Sequence, residues 1–323
     1  MSERMYNFHI FNSKEFAEFN RQKCDEIHYL DFDGISIIFG ERDGIFYSPF
    51  SAPFGGFSSE RKCPSLEAIE KAICNLTYKL KNKWCNITLP PYIYNGTFIS
   101  QCVSALMRTG FVLDFADLNY SFDLEKPITM QHNAKNDWNI AVRKELKFYR
   151  AETPELLQTA YNIIKANREA HGYPPHLPLQ EFIDTAKECK IPLDCFLVSV
   201  ESGINGGDYD CPPISPAGGI NGGGFCEFDK NLQKTGGAIA SALVFTIAPK
   251  RALVVGWGDN RAFAEFRAMN FLAISMANYY KSQGYLSLDL GPSTKNGVPN
   301  YGLCHFKSSL GCEVSLKCSL SIR

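Results

Sequence analysis

The alternation of apolar and polar residues predicts strands and helices in the first third of the chain. Short alternating runs between residues 28 and 49 are joined by Asp33-Gly34 and Asp43-Gly44, dipeptides that tolerate positive φ and are typical of tight hairpins. Asn12 with Glu15 forms a capping-box pattern that predicts a short helix. From Ser65, apolar residues recur at helical spacing and predict an amphipathic helix. These elements predict a small antiparallel meander with covering helices.

The remainder of the chain shows a second set of elements after Pro127. Thr153-Pro154 is a typical helix start, with Thr as N-cap and Pro in the first turn. Strand-like runs follow, then a long helix predicted over 263–282, a strand over 285–291, a short helix over 301–311 and a final strand. We therefore predict an α/β fold with mixed sheets in two domains, residues 1–127 and residues 128–323.

A Gly/Pro-rich insertion at 202–236 interrupts the second domain. Its repeated GINGG and its prolines favour a long mobile loop. The loop is either a lid or interaction loop, or a variable hairpin extension.

Composition narrows the class of protein. The 323 residues are 45% hydrophobic and carry 33 Lys and Arg against 34 Asp and Glu, a net charge of -1 that gives no reason to expect binding to nucleic acid or to an anionic membrane. The N-terminus has no signal-peptide pattern, and no 18-residue apolar run occurs. These features predict a cytoplasmic protein that does not contact the membrane.

The twelve cysteines do not predict a metal centre. They include no CxxC pair and no paired His ligands, so we expect reduced, mostly buried thiols and no metal. Common catalytic templates are also missing, including GxSxG, GxxxxGK[ST] and HExxH.

The segment 289–311 is the strongest candidate for chemistry. Asp289 ends a strand and could act as a general base or only tie the next loop. Asn300 is a predicted N-cap, and Gly311 a predicted stop, for the short helix. Within that helix we expect Phe306 to face the core and Lys307 to face a cleft, where its cation could polarise a carbonyl.

The turn before the long helix offers a second set of polar residues. Trp257 could stack on a ligand, and Asp259 could orient or deprotonate an amine. The alternatives are a buried tryptophan and a helix N-cap. Asn260 and Arg261, at the start of the predicted helix, could bind phosphate together with the helix amides.

The motifs GYLSLDLG and NGVPNYGLCHFKSSLG resemble the closing motif of FemAB-like proteins, within the GNAT-related acyltransferases. The run FRAMNFLAISMANYYKSQG is similar to the central helix of that family, and YSPFSAPFGGF resembles the start of its first domain. The resemblance implies two tandem GNAT-like domains, each a twisted mixed sheet flanked by helices. It also implies transfer of an acetyl or aminoacyl group from a thioester or ester donor to an amine.

The resemblance also assigns roles to residues. Lys307 matches the F-K position near the acceptor or the transferred group, and Tyr47 and Ser48 would face a groove between the domains. The acceptor cleft would be lined by Trp257, Asp289 and the segment 300–307, in which Asn300, Tyr301 and Phe306 contact substrate. Catalysis would come from positioning and from oxyanion stabilisation by backbone amides and Lys307, without a covalent enzyme intermediate.

The donor stays open between acyl-CoA and aminoacyl-tRNA. The pyrophosphate-binding turn [Q/R]xxGx[G/A] of acetyl-CoA enzymes is replaced by GWGDNRAFAEFRAMN, and the helical arm of tRNA-using members is missing. A nucleic-acid partner is expected only as such a tRNA donor. The acceptor would be a small-molecule or peptide amine, and the protein a monomer or a homodimer. The alternative is a non-catalytic ligand-binding protein on a degenerate GNAT-like fold.

Overall fold

The computed structural model describes residues 7–173, 177–200 and 237–323. The predicted loop at 202–236 lies outside these residues.

The elements up to residue 123 confirm the predicted meander and its helices. They are α1 (Lys14–Phe19), β1 (Glu26–Phe32), β2 (Ile35–Arg42), β3 (Ile45–Ser48), β4 (Phe57–Ser59), α2 (Leu66–Lys79), β5 (Trp84–Thr88), α3 (Gly96–Arg108) and β6 (Val112–Asp123). Strands β1, β2 and β3 pair antiparallel in sequence. Both predicted hairpin dipeptides have positive φ throughout, with 57° at Asp33 and 85° at Gly34.

The cap of α1 differs from the prediction. Ser13, not Asn12, accepts the backbone N–H of Phe16, at 3.0 Å. Asn12 is buried, and its amide donates to the carbonyl of Gly56 at 2.9 Å. The predicted N-cap was therefore wrong by one residue, because the Asn12 side chain makes a long-range contact with Gly56.

The later elements are α4 (His132–Arg143), β7 (Lys147–Arg150), α5 (Pro154–Ala170), α6 (Leu179–Glu188), β8 (Leu193–Ser199), β9 (Ala238–Ala248), β10 (Arg251–Asp259), α7 (Ala268–Ser282), β11 (Ser287–Pro292), β12 (Thr294–Lys295), β13 (Val298–Pro299), α8 (Tyr301–Ser309) and β14 (Glu313–Ile322). Thr153 caps α5 as predicted, accepting the N–H of Leu156 at 3.4 Å.

One mixed sheet runs through the described residues. Its strand order is β1-β2-β3-β5-β14-β6-β11-β10-β9-β8-β7, with β4 paired to β2. The last strand, β14, lies between β5 and β6 and is antiparallel to both. Its Cys318 and Leu320 pack in the core under α2 and α3. The division of the chain at residue 127 stays a prediction, and the sheet is continuous across it.

The predicted helix over 263–282 is wrong at its start. Arg267 adopts the left-handed conformation, with φ of 56°, and separates a 3-10 helix at Arg261–Phe266 from α7. The guanidinium of Arg267 forms an ion pair with Asp137 of α4 at 3.3 Å. This contact helps to hold a conformation that interrupts the helical pattern.

No helix in the described ranges combines the length and apolar character needed to cross a membrane.

Candidate functional site

Strands β10 and β11 are parallel and separate from each other at the centre of the sheet. Their pairing covers only Arg251 to Leu253 and Ser287 to Asp289. Beyond this point β10 is irregular between Val254 and Gly256 but continues to pair with β9. The two strands are therefore not paired at their carboxyl ends. This unpaired region, called the opening below, is where open sheets place ligand-binding groups.

Lys307 lies at this opening, but its side chain points inward. It is 1% exposed, and its ammonium donates to the carbonyls of Leu290, Gly291 and Pro292 at 2.8, 2.8 and 3.2 Å. These three carbonyls belong to the part of β11 that has left β10, so the lysine satisfies acceptors at the diverging strand end. Burial lowers the pKa of Lys307 to about 8.

The expectation that Lys307 faces a cleft is therefore wrong, whereas the expected packing of Phe306 toward the core is confirmed. Lys307 is buried, whereas Phe306 is half-buried and packs on Trp257 with ring centroids 5.9 Å apart. The Lys307 ammonium also lies 5.9 Å from the Trp257 ring and 5.8 Å from that of Tyr120. Trp257 and Tyr120 thus present aromatic rings to the lysine, an arrangement that suits a cation.

Asp289 is fully buried on the other side of β11 from Leu288 and Leu290, which pack in the core with α7. Its carboxylate accepts three hydrogen bonds: from the Asn119 amide at 2.7 Å, the Gly291 N–H at 2.8 Å and the Tyr94 hydroxyl at 3.0 Å. Burial raises the pKa of Asp289, and these donors oppose the shift. Asp289 is 0% exposed, and these donors engage both of its carboxylate oxygens.

Asp259, at the end of β10, is more accessible. It is half-buried, and burial raises its pKa. The Asn167 amide of α5 donates to its carboxylate and to its backbone carbonyl, both at 2.9 Å. A Cβ on the neighbouring Gly258 would lie 2.7 Å from the Asn167 Cβ, so glycine permits this approach.

Asn260 is the N-cap of the 3-10 helix, accepting the N–H of Ala262 at 3.1 Å, and Arg261 is exposed beside it. The predicted cap in this turn is therefore Asn260. Neither residue lies at the N-terminus of α7, which begins at Ala268. Arg261 was expected to bind phosphate together with the amides at the start of the long helix. Because α7 begins at Ala268, Arg261 does not lie at that helix end.

The N-terminus of α8 confirms the predicted cap. Asn300 accepts the N–H of Leu303 at 3.0 Å, and Tyr301 beside it is 71% exposed. Asn300 also approaches the hydroxyl of Tyr173, at 3.5 Å.

Tyr47 and Ser48 lie on β3, among residues of the first half of the chain. The Arg42 guanidinium covers the Tyr47 ring at 4.8 Å, and Ser48 accepts the N–H of Gly56 at 3.1 Å. None of these described contacts reaches Lys307 or Trp257, so the structure does not join the two groups of predicted residues.

Four residues near Asp289 were missed from the sequence. They are Tyr94, Asp117, Asn119 and Lys317, and all of them meet Asp289 or each other through strand pairing or loops distant in sequence. The alternation of β14 could have placed Lys317 on a polar face, but it gives no sign that this face is buried.

One described cluster outside this region carries metal-binding atom types: Glu26, His28 and Glu41, on β1 and β2. His28 is 2.7 Å from Glu41 and 3.9 Å from Glu26. A hydrogen bond between His28 and Glu41 accounts for the shorter of these distances.

No protein-family model matches the chain, and no curated protein matches it in sequence. Among solved structures, FemX superposes with a TM-score of 0.61 at 12% identity, over 96% of this chain and 91% of FemX. The chain has the fold of FemX.

Two further structures support the same fold. L-PGS from Bacillus licheniformis matches with a TM-score of 0.56 at 11% identity, covering 96% of this chain and 91% of its own. The C-terminal domain of a protein assigned as a lysylphosphatidylglycerol synthetase from Agrobacterium fabrum gives 0.54 at 11% identity, covering 96% and 87%. The resemblance to FemAB-like proteins is thus confirmed at the level of the fold.

Proposed function

We propose that the protein is an acyltransferase that moves an acyl or aminoacyl group from a thioester or ester donor to an amine. The opening between β10 and β11, with Lys307 and Trp257 beside it, is the observation that carries this proposal. Strand edges released from mutual pairing suit an extended donor, because such a donor can hydrogen-bond along them. The fold shared with FemX supports the same chemistry.

In the proposed reaction, the neutral amine attacks the carbonyl carbon of the donor. A C–N bond forms, the C–S or C–O bond to the leaving group breaks, and the amine proton passes to the leaving sulfur or oxygen through a base. Lys307 supplies positive charge to the oxyanion. Its bond to the Pro292 carbonyl, at 3.2 Å the longest of its three, is the one that a substrate oxygen replaces.

Asp259 is the better candidate for that base. It is half-buried at the end of β10 with a raised pKa, whereas Asp289 is enclosed by three donors. Asp289 then acts as a positioning residue for the end of β11. Trp257 and Phe306 would contact the acyl group, and Asn300 and Tyr301 would contact the acceptor.

The donor in this proposal is an acyl-CoA or an aminoacyl-tRNA, and the acceptor is a small-molecule or peptide amine. Arg261, exposed on its 3-10 helix, could meet a donor phosphate without the help of a helix end. We further propose a cytoplasmic monomer or homodimer that needs no metal and does not act at a membrane.

A second candidate function is ligand binding without catalysis. The observation that favours it is the hydrogen bonding of Lys307, whose three ammonium donors are all used by backbone carbonyls. In that case Lys307 stabilises the strand end and has no chemical role.

Two measurements separate these functions. Calorimetric titration with acetyl-CoA, a longer acyl-CoA and free CoA tests the first donor class. Transfer from acyl-CoA or aminoacyl-tRNA to a mixture of amines, read by mass spectrometry, tests turnover. We expect Lys307→Met to lower the transfer rate by about 100-fold, and Lys295→Met, at an exposed lysine, to leave it unchanged.

Binding of a donor without transfer to any amine would favour the ligand-binding function. Failure to bind CoA species, together with no transfer from aminoacyl-tRNA, would contradict the acyltransferase proposal.

A further inference from the structure

Two lysines are buried near Asp289, and their surroundings differ. Lys307 has three carbonyl partners at hydrogen-bond distance. Lys317, on β14, is 9% exposed, and its ion pair with Asp117 spans 3.8 Å, longer than a hydrogen bond. Among the described residues, Asp117 is the acceptor that faces the Lys317 ammonium, at this longer distance. A buried ammonium has three N–H donors that need acceptors, so Lys317 can donate further hydrogen bonds.

Strand register places Lys317 on the same face of the sheet as Asp289. Lys317 pairs with Asp117 and Ser315 with Asn119, across β14 and β6. Asn119 in turn donates to Asp289 at 2.7 Å. Because side chains two residues apart on a strand share a face, these five residues form one polar group.

The two carboxylates of this group do not depend on Lys317. Asp117 accepts the Thr294 hydroxyl at 2.6 Å and the Gly297 N–H at 2.9 Å. Asp289 has three donors of its own. The positive charge of Lys317 is therefore held by Asp117 at a longer distance than the hydrogen bonds that the two carboxylates accept.

Two hydroxyls on this face lack partners. The Oγ atoms of Ser315 and Ser121 are buried without a hydrogen bond. Buried polar atoms are normally satisfied, so an additional oxygen-bearing group is expected to meet them. The group lies near the protein surface, because the Lys317 side chain is 11% exposed and the residues Ser315 and Tyr94 are half-buried.

We propose that Lys317, with the Ser315 hydroxyl, binds a carboxylate of the substrate and is a specificity-determining residue of the site. A carboxylate supplies the full negative charge and the two acceptor oxygens that an ammonium and a hydroxyl can share. The proposal rests on the proposed function for the identity of the site, and it adds that one of the two substrates carries an acid group.

The test uses N-acetylglycine as probe and its neutral amide, N-acetylglycinamide, as the matched comparison, both titrated by calorimetry into the full chain. We expect the wild-type protein and Lys295→Met to bind the acid at least about tenfold more tightly than the amide. Lys317→Met should abolish this preference, and Lys317→Arg should restore part of it. Ser315→Ala should weaken it and serves as a second variant should Lys317→Met fail to fold.

An equal preference in Lys317→Met and wild type, or no preference in the wild type, overturns the proposal. Neither readout needs turnover. A protein that discriminates the acid through Lys317 but transfers no acyl group would therefore contradict the proposed function alone, and an active enzyme without this discrimination would contradict the carboxylate site alone.

Discussion

Asp289 and Lys307 are joined through a single residue: Gly291 donates its N–H to the Asp289 carboxylate and accepts the Lys307 ammonium on its carbonyl, both at 2.8 Å. The two charged side chains form no direct hydrogen bond. Each instead fixes one side of the same backbone segment, at the point where β11 leaves β10. The geometry of the opening therefore depends on both charges.

Removing the lysine should destabilise the protein as well as the site. In Lys307→Met, the carbonyls of Leu290, Gly291 and Pro292 lose their donor inside the protein. Buried acceptors left without partners are costly, so we expect the free energy of unfolding to fall by about 3 kcal/mol. Urea denaturation measures this change.

Lys295→Met is the control, because Lys295 is an exposed lysine close by, and it should change stability by less than about 0.5 kcal/mol. Equal effects of the two substitutions would show that the carbonyl contacts of Lys307 contribute nothing to stability.

The lowered pKa of Lys307 has a consequence for stability at alkaline pH. Burial moves this pKa from 10.5 to about 8. Between these values the unfolded chain keeps the proton while the folded protein releases it, and stability rises with pH wherever the unfolded state binds more protons. The stability of wild type relative to Lys307→Met should therefore increase by about 3 kcal/mol from pH 8 to 10.5.

Urea denaturation of both proteins across this range, in the presence of reductant, checks the sign. Parallel stability curves would mean that Lys307 titrates at its ordinary pKa.

The end of α8 should tolerate no side chain at Gly311. Its φ is +90°, and a Cβ there would lie 2.3 Å from the Thr129 carbonyl oxygen. We expect Gly311→Ala to cost more than about 2 kcal/mol, seen as a lower thermal unfolding midpoint.

Gly302→Ala is the matched control within the same helix. Its nearest neighbour, Asn300 Oδ1, would be 3.5 Å from the new Cβ, an ordinary contact. This substitution should be neutral or should stabilise the protein by up to about 1 kcal/mol. A loss as large as that of Gly311→Ala would contradict the steric argument.

Trp257 should report ligand binding. It is half-buried and lies against Phe306 beside the opening. A donor entering between β10 and β11 should change its fluorescence, and the change should disappear in Trp257→Phe. Trp84 is 50% exposed and stacked with Arg323 at 4.9 Å, so Trp84→Phe should retain the signal. A signal that survives in Trp257→Phe would place the ligand elsewhere.

Local signals predicted the parts of the structure that short-range chemistry decides. The Asp33-Gly34 hairpin, the Thr153 and Asn300 caps and the stop at Gly311 each depend on a few adjacent residues. The motif around Lys307 likewise located the strand, loop and helix that carry it. Such features are visible in a sequence because no distant partner is required.

The errors arose where a distant partner decides the structure. Asn12 was assigned a capping role, but its amide is used by Gly56, 44 residues away. Arg267 interrupts a helical pattern in contact with α4. Lys307 was expected to face a cleft because it and the apolar Phe306 are adjacent on a helix and point to different faces, but three carbonyls of another element bury its ammonium. Tyr94 and Lys317 gave no signal, because their proximity to Asp289 is created only by the sheet.

The position of β14 within the sheet determines when the sheet can close during synthesis of the chain. This strand is synthesised after the other described strands, yet its neighbours β5 and β6 were synthesised about 200 residues earlier and flank it in the finished sheet. Until it arrives, the two facing edges of those strands have no partner, and exposed strand edges invite pairing with other chains. We therefore expect nascent chains to require protection from aggregation until translation has passed residue 322, and closure of the sheet to be the slow step of folding.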